Sequence, residues 1–529
     1  MGKTRKNRLV LQLASRASRD RPLKKADMKT VIKISLIALL WIIAVSPGTI
    51  YGDTLIRLEM AHAWWTGREE VTLTLNNKPK SRLDSPGVSG VGGKRYTTYD
   101  AGQSLLMLPG DWLGSQLHRL LPQQNENFLR RLVVSLVIFI PLNLAVVLAC
   151  FWLLRLFNFE ERIAGLASLT WLLGTTVLAY AQNPQQNNQI LLFVIIGYAA
   201  ALACVRHGKL HFAFLSGLAL GAVILIRSSS VIHVLTVFLF LVGCLVYQNR
   251  DKLKSMQVAG LWIIGLLPLS MLGRVIDYLR FGSFWTTGQS LWAKQVKTDP
   301  IFAGLPQLPD NYPFINPPQF GIWGVLFSPA KSIFIYDPLL LPCLLLGAFL
   351  WKKLSPYMQW YLLCGIFNLA LHIALTSKLD FWHGDAGWGA RYHVTSVHLL
   401  LIPLIALFVK RLSSVKGLSR WLMRGLLILA IMMQMTSVVL RPVAEGNQIY
   451  FANPQSFLEF RWGERITNIG CLIDRSFSPE CPSKLNSNLS NKLSLLPFNF
   501  TRGRNFIFIV WGSILIVAIA STMRFYFQG

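Results

Sequence analysis

Apolar residues in this 529-residue chain come in long unbroken runs, not in strand-like alternation or narrow stripes. Twelve runs stand out, at residues 31–50, 132–157, 164–181, 190–204, 212–226, 231–247, 258–273, 338–351, 359–376, 396–410, 421–440 and 506–523. About 20 apolar residues cross a hydrocarbon core as a helix, whereas a barrel strand needs only about ten, alternating. Backbone in lipid must satisfy its own hydrogen bonds, so the pattern predicts an all-α fold, a polytopic bundle of about twelve transmembrane helices. The polar stretches divide the chain into a basic tail (1–30), a helical module (31–440), a polar loop (441–505) and a last span with its tail (506–529).

The placement of Lys and Arg orients the bundle. RLFNFEER, VRHGKLH, YQNRDKLKS, WKKLSP and VKRLSSVKGLSR alternate with loops on the other side, which include QNPQQNNQ, free of basic residues. By the positive-inside rule the first set is cytoplasmic, and so is the N-terminus, with residues 31–50 as an uncleaved signal anchor. Long outward loops then fall at 51–131, 274–337 and 441–505. The expected site is the periplasmic or extracellular face of a cell inner membrane or plasma membrane. Within the first loop, LIRLEMAHAWWTG and GQSLLMLPGDWLGSQLHRLL read as short amphipathic helices along the interface, where Trp64, Trp65 and Trp112 would be at home. NNKPKSRLDSPGVSGVGGK between them reads as a mobile loop.

Composition sharpens this. Charged residues make up 14% of the chain against about 25% in soluble domains, too few to cover a water-facing surface. The net charge of +28 has no nucleic-acid-binding motif beside it, so it reads as topology signal and contact with anionic lipid, with no nucleic-acid partner. Five of seven cysteines lie in apolar runs as packing residues. Cys471 and Cys481 flank the polar CLIDRSFSPEC, a spacing that suits a disulfide in an oxidising compartment. No zinc-type spacing occurs, and no cofactor is expected. Asn488 and Asn499 stand in glycosylation sequons.

Four polar constellations interrupt the pattern. Asp53, directly after the first span, suits a general base or an oxygen ligand to a divalent cation, or else a cap on the next helix. In RYTTYDAGQSLLMLP, Tyr96, Tyr99 and Gln103 are able to hydrogen-bond a sugar or phosphate, or else belong to an interfacial aromatic belt. Lys331 is the one cation in FGIWGVLFSPAKSIFIYDP, costly there unless it snorkels or meets an anion. DFWHGDAGWGARYH is the densest polar cluster. Its His383 and His393 fit no standard metal spacing, Arg391 offers a bidentate fork for phosphate, and its glycines allow backbone to approach a ligand. Asp385, His383, Trp388 and Tyr392 are counted with it as substrate-binding candidates. A carboxylate, cations and aromatic walls at membrane level suit a lipid-linked phosphate.

With these residues in place the chain resembles the GT-C superfamily of membrane glycosyltransferases. It is most similar to the branch that holds protein O-mannosyltransferases and the aminoarabinose transferase of lipid A. The resemblance lies in Gly52-Asp53, the Trp65-Thr66-Gly67 turn, SLLMLPGDWLG, RLFNFEERIAGLAS, GLALGAVILIRSSS, LFSPAKSIFIYDP and GWGARY. It implies transfer from a polyprenyl-phosphate sugar to a glycan, lipid or protein acceptor, usually with inversion. Asp53 would be the base, Arg391 and Lys331 the phosphate ligands, and Arg57 an assistant. Two departures matter: position 54 is Thr where many relatives have a second acid, and QNPQQNNQ has no acid at all. Metal dependence is therefore not favoured. The competing readings are a lipid or glycan transporter and an O-antigen ligase or polysaccharide polymerase.

Overall fold

The computed structural model describes residues 25–72, 87–182, 184–249, 251–384, 387–441, 444–445, 458–486, 489–500 and 504–527. It is a helical bundle with one two-residue hairpin, β1 (Val88–Ser89) against β2 (Arg95–Tyr96). Helix α1 is Lys25–Val45. The polar layer that follows holds α2 (Asp53–Thr66) and α3 (Gly102–Leu120), and α4 then runs through Glu126–Leu156. Next come α5 (Glu161–Gly174), α6 (Val177–Gln182), α7 (Gln186–His207), α8 (His211–Ile226), α9 (Val231–Tyr247) and α10 (Lys252–Phe281). Helices α11 (Gly288–Thr298), α12 (Pro318–Phe327), α13 (Ile333–Tyr336) and α14 (Leu340–Phe349) lead to α15 (Pro356–Thr376), α16 (Val394–Ser414) and α17 (Gly417–Val439). The chain closes with α18 (Arg461–Ile473), α19 (Cys481–Asn486) and α20 (Arg504–Phe527).

Among the described residues nine helical segments are long and apolar enough to cross a membrane. Three of the twelve expected spans are shorter. The run at 212–226 is the 16-residue α8, that at 338–351 contains the 10-residue α14, and that at 164–181 breaks into α5 and α6. The break has a cause. Thr176 gives its hydroxyl to Asp337 Oδ2 at 2.9 Å and its backbone N–H to Asp337 Oδ1 at 2.7 Å, and an uninterrupted helix would commit that N–H to its own carbonyl ladder. The loop expected from residue 274 is helical to Phe281, because the charges there are compensated. Arg274 pairs with Asp277 at 2.6 Å and Arg280 with Glu70 at 2.8 Å.

Helices α7 and α16 form the centre, with 89% of each apolar window buried; α20, at 6%, lies on the rim. Close crossing of α8 and α10 needs glycine. A Cβ on Gly217 would stand 1.9 Å from the Trp262 carbonyl, and one on Gly265 2.2 Å from that of Phe214. One buried polar group links three spans: Asn368 donates to Thr236 at 2.7 Å and accepts from Ser396 at 2.6 Å.

Both short helices expected in the first loop form, as α2 and α3. Their tryptophans behave differently from an interfacial belt. Trp64 and Trp65 turn their N–H groups inward, to Glu70 and to Asp111, and Trp112 is half exposed. Asp111 is fully buried and knits the layer, accepting also from Arg130 Nε at 2.6 Å and lying 2.9 Å from His62 Nδ1. Much of the glycine-rich stretch expected to be mobile lies outside the described residues, as does Asn488. The amide of Asn499 is already engaged, with Pro47 O at 2.7 Å and Arg441 at 3.1 Å.

Candidate active site

Gly52 occupies the cap position of α2 and has no side chain, so Asp53 opens the helix as its first residue. The positive end of the helix dipole favours a carboxylate there. Its charge is directed elsewhere than to capping: Asp53 Oδ2 accepts from Arg391 Nη2 at 2.9 Å, across 338 residues of sequence. Tyr99 lies near the same carboxylate. One turn along α2, Arg57 is buried with its guanidinium carbon 3.9 Å from the centre of the Tyr99 ring. Arg227, at the end of α8, lies 5.2 Å from the centre of the Tyr392 ring. The next residue, Ser228, is anchored by Asp100, which accepts from its N–H at 2.9 Å and from its hydroxyl at 3.1 Å.

Three guanidiniums thus bear on one carboxylate. Burial works against the charge of Asp53, but Arg391 and then Arg57 outweigh it and hold the carboxyl at about 2. Burial pulls Arg57 down to about 10, while Arg391 is raised because Asp53 more than offsets its desolvation. Burial and the Asp53 charge push the Tyr99 hydroxyl up. Arg57 Nε and Nη1 and Arg391 Nε are buried and have no hydrogen-bond partner among the described residues. Buried guanidinium donors without acceptors are costly, and an anion entering the site would satisfy them.

The loop that carries Arg391 is clamped by its carbonyls from four directions. Lys331 Nζ donates to Gly387 O at 2.7 Å and to Gly389 O at 3.2 Å, and Arg461 Nη1 donates to Gly387 O at 2.8 Å. Tyr180 donates to Trp388 O at 2.9 Å, and Asn187 to Arg391 O at 2.8 Å. The glycines here make room for Arg391 itself. A Cβ on Gly384, whose φ is +69°, would stand 2.5 Å from Arg391 Cβ, and one on Gly387 3.0 Å from it. Close approach to a ligand was the sequence-level reason for these glycines; close approach to Arg391 is what the fold uses.

The sequence candidates therefore divide. Asp53, Arg57, Tyr99, Arg391 and Tyr392 come together. Lys331 is fully buried, and the contacts just described place it behind the Arg391 loop as a brace. Trp388 is also buried, edge-on to Tyr336 at 5.0 Å and with Arg465 4.8 Å from its ring centre, so it packs the loop from below. His383 is partly buried near Lys331 and Arg461, where burial and then those cations hold it down at about 3, so it is neutral. His393 donates or accepts through Nε2 with Thr376 at 2.8 Å. Tyr96 gives its hydroxyl to Val91 O at 3.2 Å and packs on Phe281 in the hairpin region. Gln103 is fully buried and donates to Pro184 O at 2.8 Å. Asp385 lies outside the described residues. Cys471 and Cys481 form a disulfide that links α18, the helix of Arg461 and Arg465, to α19. Among the described residues no group of three or more His, Cys, Asp and Glu comes together.

Two contributors were missed. Arg227 was visible only as the end of a Gly-rich run. QNPQQNNQ was noted for lacking an acid, yet its described residues tie together the elements around the site. Pro184 O accepts from Thr54 at 2.9 Å and from Gln103, Gln186 donates to Ile226 O at 2.7 Å, and Asn188 donates to Asn143 at 2.8 Å. The usable signal was an amide run opening an otherwise apolar helix, since such side chains bond across helices in lipid.

No protein-family profile matches this chain, and no curated protein does. Among solved structures it is similar to ArnT from Cupriavidus metallidurans in the apo state. The identity is 11% and the TM-score 0.47, over 95% of this chain and 76% of that one. ArnT bound to undecaprenyl phosphate gives 12% and 0.47, over 94% and 75%. The archaeal oligosaccharyltransferase AglB from Archaeoglobus fulgidus, in complex with an inhibitory peptide and a dolichol-phosphate, gives 12% and 0.44, over 82% and 60%.

The brace can be tested apart from any reaction. Lys331→Met keeps an unbranched side chain one atom shorter and removes the donor from two buried carbonyls, so it should destabilise the fold by about 1–3 kcal/mol. A fall in melting temperature of the purified protein is the readout; an unchanged value would remove Lys331 from this role.

Proposed function

We propose that this protein transfers a sugar from a polyprenyl-phosphate donor to a glycan, lipid or protein acceptor, at the Asp53 end of the bundle. The observation that carries the reading is the single carboxylate of Asp53 beside buried, unpartnered guanidinium donors of Arg57 and Arg391. Arg391 holds Asp53 through Nη2, which leaves its Nε–H for a phosphate oxygen. Once that oxygen shares the guanidinium charge, the grip on Asp53 loosens and the carboxylate becomes more basic. Asp53 then takes the proton of the acceptor hydroxyl as its oxygen attacks the anomeric carbon. The bond from that carbon to the phosphate oxygen breaks on the opposite face, which inverts the configuration. The phosphate leaves with its electron pair and its charge falls on Arg391, Arg57 and Arg227, so it needs no proton. Three guanidiniums around one carboxylate also repel a divalent cation, and we read the reaction as metal-independent.

The loops at the far end of the bundle, including WKKLSP and VKRLSSVKGLSR, are the basic set, which supports a cytoplasmic N-terminus and an outward-facing site in the inner or plasma membrane. Proteoliposomes supplied with radiolabelled polyprenyl-monophosphate sugars and a panel of acceptors test the whole reading. Label should move to an acceptor. Transfer from diphosphate-linked oligosaccharides alone would make the chain a ligase or polymerase, and flux of label without transfer would make it a transporter.

A further inference from the structure

At the end of the bundle opposite Asp53 lies a cleft with cationic lining. Helices α1 and α20 run side by side: Trp511 Nε1 donates to Ala44 O at 2.7 Å, and Trp41 Nε1 to Thr522 Oγ1 at 2.8 Å. Below these bonds the two helices enclose a cleft of about 310 Å³ lined by Lys33, Leu36, Ile37, Ser521, Arg524 and Phe525. Lys33 precedes the end of α1 by about 18 Å of helix, at a rise of 1.5 Å per residue, and Arg524 is in the last turn of α20. The cleft therefore lies at the level of the N-terminal part of α5, where Gly165 faces Ile34 and Phe525.

The lining has two parts. Its polar part is two cations and one hydroxyl, with no carboxylate. Neither Lys33 nor Arg524 forms an ion pair among the described residues. Two like charges brought to one cleft by separate helices repel each other, and an anion between them reverses that term. Its apolar part, Leu36, Ile37 and Phe525, continues onto a helix whose Ile509, Ile516, Val517 and Met523 are all exposed, as on a lipid-facing surface. A free phosphate would use the cations and leave the apolar wall empty. A lipid with a charged head uses both.

We propose that this cleft binds an anionic glycerophospholipid, with the phosphate between Lys33 and Arg524 and an acyl chain along Leu36, Ile37 and Phe525. Ser521 supplies a hydroxyl to a phosphate or glycerol oxygen. The site is independent of the sugar-transfer chemistry, so either assignment stands or falls alone.

The test uses the full chain in detergent, with melting temperature and native mass spectrometry as readouts. Phosphatidylglycerol should raise the melting temperature and remain bound, while phosphatidylcholine with the same acyl chains and inorganic phosphate should do neither. Lys33→Gln with Arg524→Gln keeps side-chain bulk and should weaken phosphatidylglycerol binding about tenfold or more, without changing the lipid-free melting temperature. If that pair does not fold, each single variant should show part of the same loss. Equal stabilisation by phosphatidylcholine, an equal shift with inorganic phosphate, or undiminished phosphatidylglycerol binding in the variants would overturn the proposal.

Discussion

Asp53→Asn should slow sugar transfer by about 10²–10⁴-fold, the usual contribution of a positioned general base, while donor binding stays as tight or becomes tighter. Asn fills the same space at the start of α2 and still offers an oxygen to Arg391, so the loop geometry in which Arg391 is held should persist. What disappears is the charge. Arg391 is then no longer neutralised at 2.9 Å, and its guanidinium is freer to serve a phosphate. The useful measurement is therefore a split one, turnover against donor affinity. Full turnover in the variant would remove Asp53 from the reaction, and loss of donor binding with unchanged turnover would recast it as a binding residue.

Arg391→Ala should cost about 10²–10³-fold in turnover, comparable with removing a donor aimed at developing charge, and should weaken donor binding as well. It should also change the pH profile in a defined direction. In the native protein Arg391 and Arg57 bring the Asp53 carboxyl to about 2, below its ordinary 3.8, so it is ionised throughout any practical assay. Without Arg391 the burial of Asp53 is less opposed, and its carboxyl moves up. A carboxylate is lost as pH falls through its pKa, so residual activity in the variant should decline at mildly acidic pH where the native rate is flat. A flat profile in Arg391→Ala would show that the two residues do not communicate. Arg391→Lys should recover only part of the loss, because an ammonium keeps the charge and loses the two-edged fork that serves carboxylate and phosphate together.

The outcome for Lys331 shows why residue type alone misassigns roles. An isolated cation in an apolar run must meet an acceptor, and the sequence offers no way to rank a ligand phosphate against a backbone carbonyl from another loop. The fold supplies the carbonyls of Gly387 and Gly389. Trp388 and Gln103 follow the same logic. Each is chemically able to touch a substrate, and in the fold Trp388 packs against Tyr336 while Gln103 donates to a backbone carbonyl. Their partners, Arg465 for the indole and Pro184 for the amide, lie dozens of residues away. The amide run was the reverse case: it was noted only for the charges it lacks, and its residues 184–189 are found at the junction of α2, α3, α7, α8 and the Arg391 loop.

The helical, membrane-spanning character of the chain was legible from composition along it. Runs of apolar residues must become helices in lipid, basic residues collect at one end, and an Asp, two Arg and a Tyr were visible as chemistry outside the spans. Helix ends were less legible where a distant partner intervened, as Asp337 does at Thr176 and Glu70 does at Arg280. What folding alone settled is which polar groups meet. Asp53 and Arg391 are separated by 338 positions, and no periodicity or propensity reaches that far. Hydrogen bonds and charge pairs depend on ångström-scale placement, which only the packed bundle sets, whereas burial in a membrane depends on average polarity, which each segment carries within itself.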